Sequence, residues 1–252
     1  MIFENDQIFI TALITILLSA AIWGGLFYSI GSKQKIYGLF LILMLPFSAL
    51  VNLLIKSPLN QMVIKVFDLQ GGVNLQQPLF YLLFLAFLAP VTEEFIKILP
   101  IFLPAVRERV KKDPLWSGAW LGLGFGLGEA LFIAYGISKS SQFVGLPWYA
   151  FGGYVGERFV VCLIHAILTG LLTWFIFQKK FFVGYGLAIL LHFFVNIGAF
   201  LLALGIIGLA FVNILFLVSV IILVLIFEKI RKNLLKSNIN ESEETVYFRR
   251  SK

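Results

Sequence analysis

Glu93, Glu94 and Lys97 lie near the middle of an apolar stretch, residues 80–102, that is long enough to cross a bilayer. A charged side chain at the bilayer centre costs roughly 2.5–3.5 kcal/mol. Such residues persist only where they face an interior cavity, pair with one another or do chemistry. The other polar side chains inside apolar stretches are Glu129, His165, His192 and Asn196. Three carboxylates and two imidazoles are the working groups of a hydrolytic site. Neutral histidines beside carboxylates form a zinc site, for which Glu129, His165 and His192 are the candidate ligands. The same groups without metal activate water by carboxylate–histidine general base catalysis. Asn196 suits a donor that stabilises a developing oxyanion.

The spacing groups these residues by helix face. Glu93-Glu94-x-x-Lys97, Phe125-x-x-x-Glu129, His165-x-x-x-Thr169 and His192-x-x-x-Asn196 each hold i, i+3 or i, i+4 pairs that share a face. The stretches carrying them have midpoints near residues 92, 126, 166 and 193. Each key residue falls within about three residues, or about 5 Å, of its midpoint at 1.5 Å per residue. Helices adjacent in the chain cross in opposite directions, so this agreement in depth places all the side chains in one layer of a bundle. Inserted singly and charged, Glu93, Glu94, Lys97 and Glu129 would cost roughly 10–14 kcal/mol. Lys97 can pair with Glu93 or Glu94. One lysine does not neutralise three glutamates, so the remainder is expected to be protonated, hydrated or bound to a cation.

The elements that must position these residues are transmembrane helices. Hydrophobic residues make up 60% of the chain and charged residues 13%, about half the charged share of a soluble domain. The apolar blocks predict an all-α polytopic membrane protein with about seven spans: 8–30, 36–55, 79–104, 115–137, 156–177, 182–203 and 205–227. Strand-like alternation over ten-residue segments is absent, which argues against a membrane β-barrel. Most of the 20 basic residues fall on one side: Lys33 and Lys35, Arg107 to Lys112, Lys179 and Lys180, and those after Glu228. The positive-inside rule then puts the N-terminus outside and the C-terminus in the cytoplasm. The net charge of +7 follows from topology and lipid contact, so no nucleic-acid partner is expected.

The expected organisation is a single transmembrane domain, 1–227 with its core motifs in 80–200, followed by a solvated, partly disordered cytoplasmic tail, 228–252. The first apolar block reads as a retained span rather than a signal peptide. Two longer outer loops are expected, 56–77 and 138–155. The aromatic cluster Trp148, Tyr149, Phe151 and Tyr154 reads as an interfacial belt or a cap over a site entrance. Gly118, Gly122, Gly124, Gly126 and Gly128 let neighbouring helices approach closely. Cys162 reads as packing, and Glu157 with Arg158 as an interfacial pair.

These motifs resemble the CAAX-protease/bacteriocin-processing superfamily of intramembrane proteases. The double glutamate with Lys97 and the Phe125-x-x-x-Glu129 motif look like its PrsW branch. The run from Gly122 to Ala130, with Glu157-Arg158 ahead of His165, looks like the YhfC branch. The resemblance covers about residues 80–200. It implies an intramembrane endopeptidase in the plasma membrane of a prokaryote. The substrate would be a membrane protein or membrane-associated peptide, cleaved by water that one of Glu93 and Glu94 activates as base, with Glu129, His165 and His192 completing the site and Asn196 supporting it. Superfamily members of the CAAX type carry histidine where Glu129 stands and arginine where Lys97 stands, so a prenylated substrate does not carry over. Buried acids and histidines also occur in ion-coupled transporters, where internal repeats are expected, and a noncatalytic scaffold can keep the same fold.

Overall fold

The computed structural model describes residues 6–31 and 36–250, with side chains as far as Leu235 in the last helix. It is all helical, without a strand among the described residues. Seven helical units are long and apolar enough to cross a membrane: span 1, Gln7–Ile30; span 2, Tyr37–Val66; span 3, Leu79–Phe102; span 4, Pro114–Ser138; span 5, Trp148–Phe177; span 6, Phe181–Ala203; and span 7, Leu209–Leu235. At 1.5 Å per residue, units of this size run about 35–45 Å, enough for the ~30 Å hydrocarbon layer. The last helix continues from Leu209 to Arg250, so the expected tail extends span 7 as helix instead of ending it. Lys33, Lys35, Lys252 and the side chains of Lys236, Arg249 and Arg250 lie outside the described residues.

Span 4 is the centre of the bundle. Every residue from 115 to 128 is buried, because alternating glycines let helices approach from two sides. A Cβ on Gly118, Gly122 or Gly126 would strike Thr173, the His165 carbonyl or Cys162 of span 5. A Cβ on Gly124 or Gly128 would strike the carbonyls of Leu41 or Leu45 in span 2. Such backbone-to-backbone packing is how helices associate where the solvent is itself apolar. Aromatic side chains fill the remaining space on the side of spans 1 and 2: Tyr37 stacks on Trp120 with ring centroids 5.6 Å apart, and Phe27 meets Trp116 at 5.7 Å. Leucines and isoleucines such as Leu13, Leu17, Ile22, Leu217 and Leu225 stay exposed on spans 1 and 7. That is the face expected of helices that meet lipid.

Two boundaries differ from the sequence reading in ways that matter for the site. Span 2 does not end at residue 55. It breaks after Met44 at Leu45 and Pro46, resumes as Phe47–Val51, makes a π-helical turn over Asn52–Lys56 and continues through Ser57–Val66. Pro58, which suggested a loop, sits in the first turn of the Ser57–Val66 segment, where its missing N–H costs least. Span 5 starts earlier than expected, through a 3-10 turn at Trp148–Phe151. The aromatic cluster there is a junction rather than a free belt. Thr11 donates to the Trp148 carbonyl at 2.9 Å, Phe151 is buried beside Ile8, Ala12 and Ala134, and the Tyr154 hydroxyl donates to the Ala130 carbonyl.

Candidate active site

Glu93, Glu94, Glu129, His165 and His192 meet in one connected network, as their common depth implied. Glu94 is fully buried and accepts two hydrogen bonds on Oε1, from Lys97 Nζ at 2.6 Å and from His192 Nδ1 at 2.6 Å. Lys97, also fully buried, donates a second bond to His165 Nδ1 at 2.7 Å and places its ammonium 4.8 Å from the centre of the Phe125 ring. Phe125 in turn meets His165 edge to face, with centroids 5.1 Å apart. The phenylalanine of Phe125-x-x-x-Glu129 thus has a physical role: its ring face takes the cation and its packing orients the imidazole.

The partners assign the tautomers. A lysine ammonium only donates, so His165 Nδ1 accepts and its proton sits on Nε2. That Nε2–H donates to Glu129 Oε2 at 2.9 Å. A carboxylate only accepts, so His192 carries its proton on Nδ1, facing Glu94. Its Nε2 lone pair lies 3.9 Å from Glu93 Oε2. The two imidazole rings stand 5.6 Å apart. Glu94 and His192 form a carboxylate–imidazole dyad whose outward nitrogen is a base.

Two residues that the sequence reading placed elsewhere belong to the network. Lys56, assigned to an outer loop, is delivered by the π turn of span 2 to Glu93 Oε1 at 2.6 Å. Arg158, read as half of an interfacial pair, donates Nη1 to Glu129 Oε2 at 3.0 Å and Nη2 to Glu157 Oε1 at 2.6 Å. Glu157 itself is 58% exposed. The buried Glu93 and Glu94 and the partly buried Glu129 are therefore each paired with a cation, Lys56, Lys97 and Arg158 in turn. This corrects the expectation that Lys97 alone faces three acids. The signal for Arg158 was present in its seven-residue spacing from His165, two turns along one face. The signal for Lys56 was hidden by the π turn.

A cavity of about 650 Å³ opens beside the network between spans 5, 6 and 7. Glu129, Arg158, His165, His192 and Asn196 line its polar part, while Val161, Ile164, Val195, Ala199 and Phe216 are among its apolar walls. Asn213, the lone amide of span 7's apolar core, lines it too. Asn196 follows His192 by one turn on the same face, as the spacing implied. Cys162 is buried against Gly126 and takes no part in the lining.

Ligand atoms of Glu93, Glu129 and His165 all lie within 4.8 Å of one another. Of the expected metal ligands, Glu129 and His165 belong to this group. Its third member is Glu93, with His192 alongside. Glu93 Oε2 is buried without a hydrogen-bond partner, which leaves a carboxylate oxygen of this residue uncommitted. Two carboxylates and an imidazole are a donor set that a divalent cation such as Zn²⁺ accepts.

The family model described as PrsW family intramembrane metalloprotease matches residues 14–226 of this chain. No curated protein and no solved structure shows significant similarity to it.

Proposed function

Since the chain belongs to the PrsW family of intramembrane metalloproteases, we propose that it cleaves a peptide bond of a membrane protein or membrane-associated peptide within the cavity between spans 5, 6 and 7. The observation that carries this reading is the convergence of Glu93, Glu129 and His165 within 4.8 Å, where Glu129 and His165 line a membrane-embedded cavity. We place the chain, on the motifs given above, in the CAAX-protease/bacteriocin-processing superfamily, near the YhfC branch. The bundle 1–227 forms one transmembrane domain with its N-terminus outside, in a prokaryotic plasma membrane, and residues 228–252 face the cytoplasm.

Glu93, Glu129 and His165 would hold the metal, with Zn²⁺ the best match to the donors. A divalent cation there supplies Lewis acidity, polarising a carbonyl and acidifying water. Both ring nitrogens of His165 now have partners, Lys97 on Nδ1 and Glu129 on Nε2, so His165 would exchange one of these contacts to serve as a ligand. The chain's own groups do the remaining work. His192 Nε2, kept unprotonated by the Nδ1–H bond to Glu94, takes the proton of the attacking water and returns it to the leaving amine. Asn196, one turn along the same face, donates to the oxygen that gains charge. Arg158 holds Glu129 in place, and Lys97 locks Glu94 and His165 together. The apolar walls bind the residues that flank the scissile bond and keep bulk water out.

The test uses membranes of cells expressing the wild type or Glu93→Gln, with new protein N-termini identified by mass spectrometry. New termini in or beside membrane spans, present with the wild type and absent with the variant, are the expected result. Identical termini with both proteins folded would refute the proposal.

A further inference from the structure

The three carboxylates of the site are each paired without any metal: Glu93 with Lys56, Glu94 with Lys97, and Glu129 with Arg158, which also reaches the exposed Glu157. Adding a divalent cation to such a paired network in low dielectric leaves an uncompensated charge of two. Withdrawal of one of the three resident cations would halve that excess, so the most loosely held of them is the one to identify. They are not held alike. Lys97 is fully buried and bonded to both Glu94 and His165. Arg158 is clamped between Glu129 and Glu157. Lys56 is 17% exposed and hydrogen-bonds only to Glu93 among the described residues. The second oxygens of Glu93 and Glu94 are both buried without a hydrogen bond, but of the two only Glu93 belongs to the group of ligand atoms with Glu129 and His165. The turn that presents Lys56 is π-helical, a local departure from α winding that frequently marks functional sites.

We infer that Lys56 is the resident counter-cation of the metal site. It holds Glu93 in place before loading, withdraws on loading, and so sets how tightly the site takes a divalent cation. The inference rests on the reading of Glu93, Glu129 and His165 as the metal-holding group. It assigns to Lys56 a positioning role that none of the four sequence motifs contains. No proton needs to leave Lys56. The ammonium swings away from the carboxylate toward the side on which it is already partly exposed.

The experiment is a competition titration of Zn²⁺ against a chelating dye, on the purified full-length protein in detergent. Wild type, Lys56→Met, Lys56→Arg and Lys65→Met are compared. Lys56→Met is expected to tighten Zn²⁺ binding about tenfold or more, an effect of a partly buried charge rather than of a surface pair. Lys56→Arg keeps the charge and stays close to wild type. Lys65 lies outside the network, so Lys65→Met changes nothing. Equal or weaker binding by Lys56→Met overturns the inference, and so does a failure of both wild type and Lys56→Met to take up Zn²⁺. Because Lys56→Met leaves Glu93 unpaired, melting is followed as well. A variant that is destabilised in chelator and restored by Zn²⁺ supports the inference, and one that Zn²⁺ does not restore overturns it. Cleavage is read in neither measurement, so failure here is separate from failure of the protease assignment.

Discussion

Gly122→Ala tests whether the close approach of spans 4 and 5 sets the geometry of the site. A Cβ at this position would stand 2.1 Å from the His165 carbonyl oxygen, 2.7 Å from its carbonyl carbon and 2.7 Å from Thr169 Oγ1. Ordinary contact begins at 3.4 Å, so the helices must part by about 1.3 Å along that line, from 2.1 to 3.4 Å. The obstacle is backbone, which cannot rotate aside as a side chain would. Overpacking of an interior costs about 1–3 kcal/mol, and alanine regains about 1 kcal/mol over glycine in helix propensity. The net loss of stability is then at most about 2 kcal/mol. The loss of geometry is larger in effect, because a misplacement of about 1 Å at a reacting centre costs on the order of 10²-fold in rate. The expected variant is folded, melts slightly lower and cleaves about a hundredfold more slowly. The assay is the initial rate at which new N-termini form in membranes, read beside thermal melting in detergent. Gly25→Ala is the control, since nothing lies within 4 Å of a Cβ there. Wild-type cleavage by a normally folded Gly122→Ala protein would refute the claim that this contact positions His165.

Lys97→Met should be strongly destabilising, by about 3–5 kcal/mol, because it strips a buried partner from Glu94. Adding Glu94→Leu should recover much of that loss, and an additive double-mutant cycle in thermal melts would contradict the buried pair. Asn196→Ala should lower kcat by about 10²–10³-fold with melting unchanged. A kcat equal to wild type, measured on a substrate found by the terminus mapping, would reduce Asn196 to helix packing. Zn²⁺ at a hundred times its Kd should stabilise the protein by about 2.7 kcal/mol, and chelation should remove that gain. Calorimetric melts that do not respond to Zn²⁺ would dismiss the Glu93, Glu129 and His165 group as a metal site.

The depth of each candidate residue was legible because a span must centre on the bilayer, and position along a helix follows directly from residue count. Azimuth was less so. Glu93 and Glu94 project about 100° apart at 3.6 residues per turn, and only the packed bundle assigns Glu94 to Lys97 and His192 and Glu93 to Lys56. The alternating glycines of span 4 announced close packing, but not that one set admits span 5 and the other span 2. Arg158 was visible on the face of His165, yet its neighbour Glu157 offered a sufficient local partner. Lys56 was out of reach for a different reason. Hydropathy falls after Ile55 and Pro58 follows, both usual signs of a span ending. A π turn shifts the register by one residue and leaves the ladder already interrupted where the proline enters, so the helix continues and carries the lysine inward.

Finding Lys56 and Arg158 in the network changes what kind of argument supports a metal. From sequence, the excess of carboxylates over Lys97 called for protons, water or a cation to neutralise it. In the structure no excess remains, so charge alone demands nothing. What remains is the donor geometry: Glu93 Oε2 is buried and unpartnered, and ligand atoms of Glu93, Glu129 and His165 lie within 4.8 Å of one another. A site with surplus negative charge binds cations of any kind. A site already neutral takes one only when ligand identity and geometry return more than the displaced ammonium gave. Selectivity should then follow the imidazole and carboxylate set, favouring Zn²⁺ over Mg²⁺ and Ca²⁺. Titrations of the wild type with all three ions measure this directly. Zn²⁺ should bind at least about a hundredfold more tightly than either hard cation, and comparable affinities would mean that the site is a charge sink rather than a coordination site.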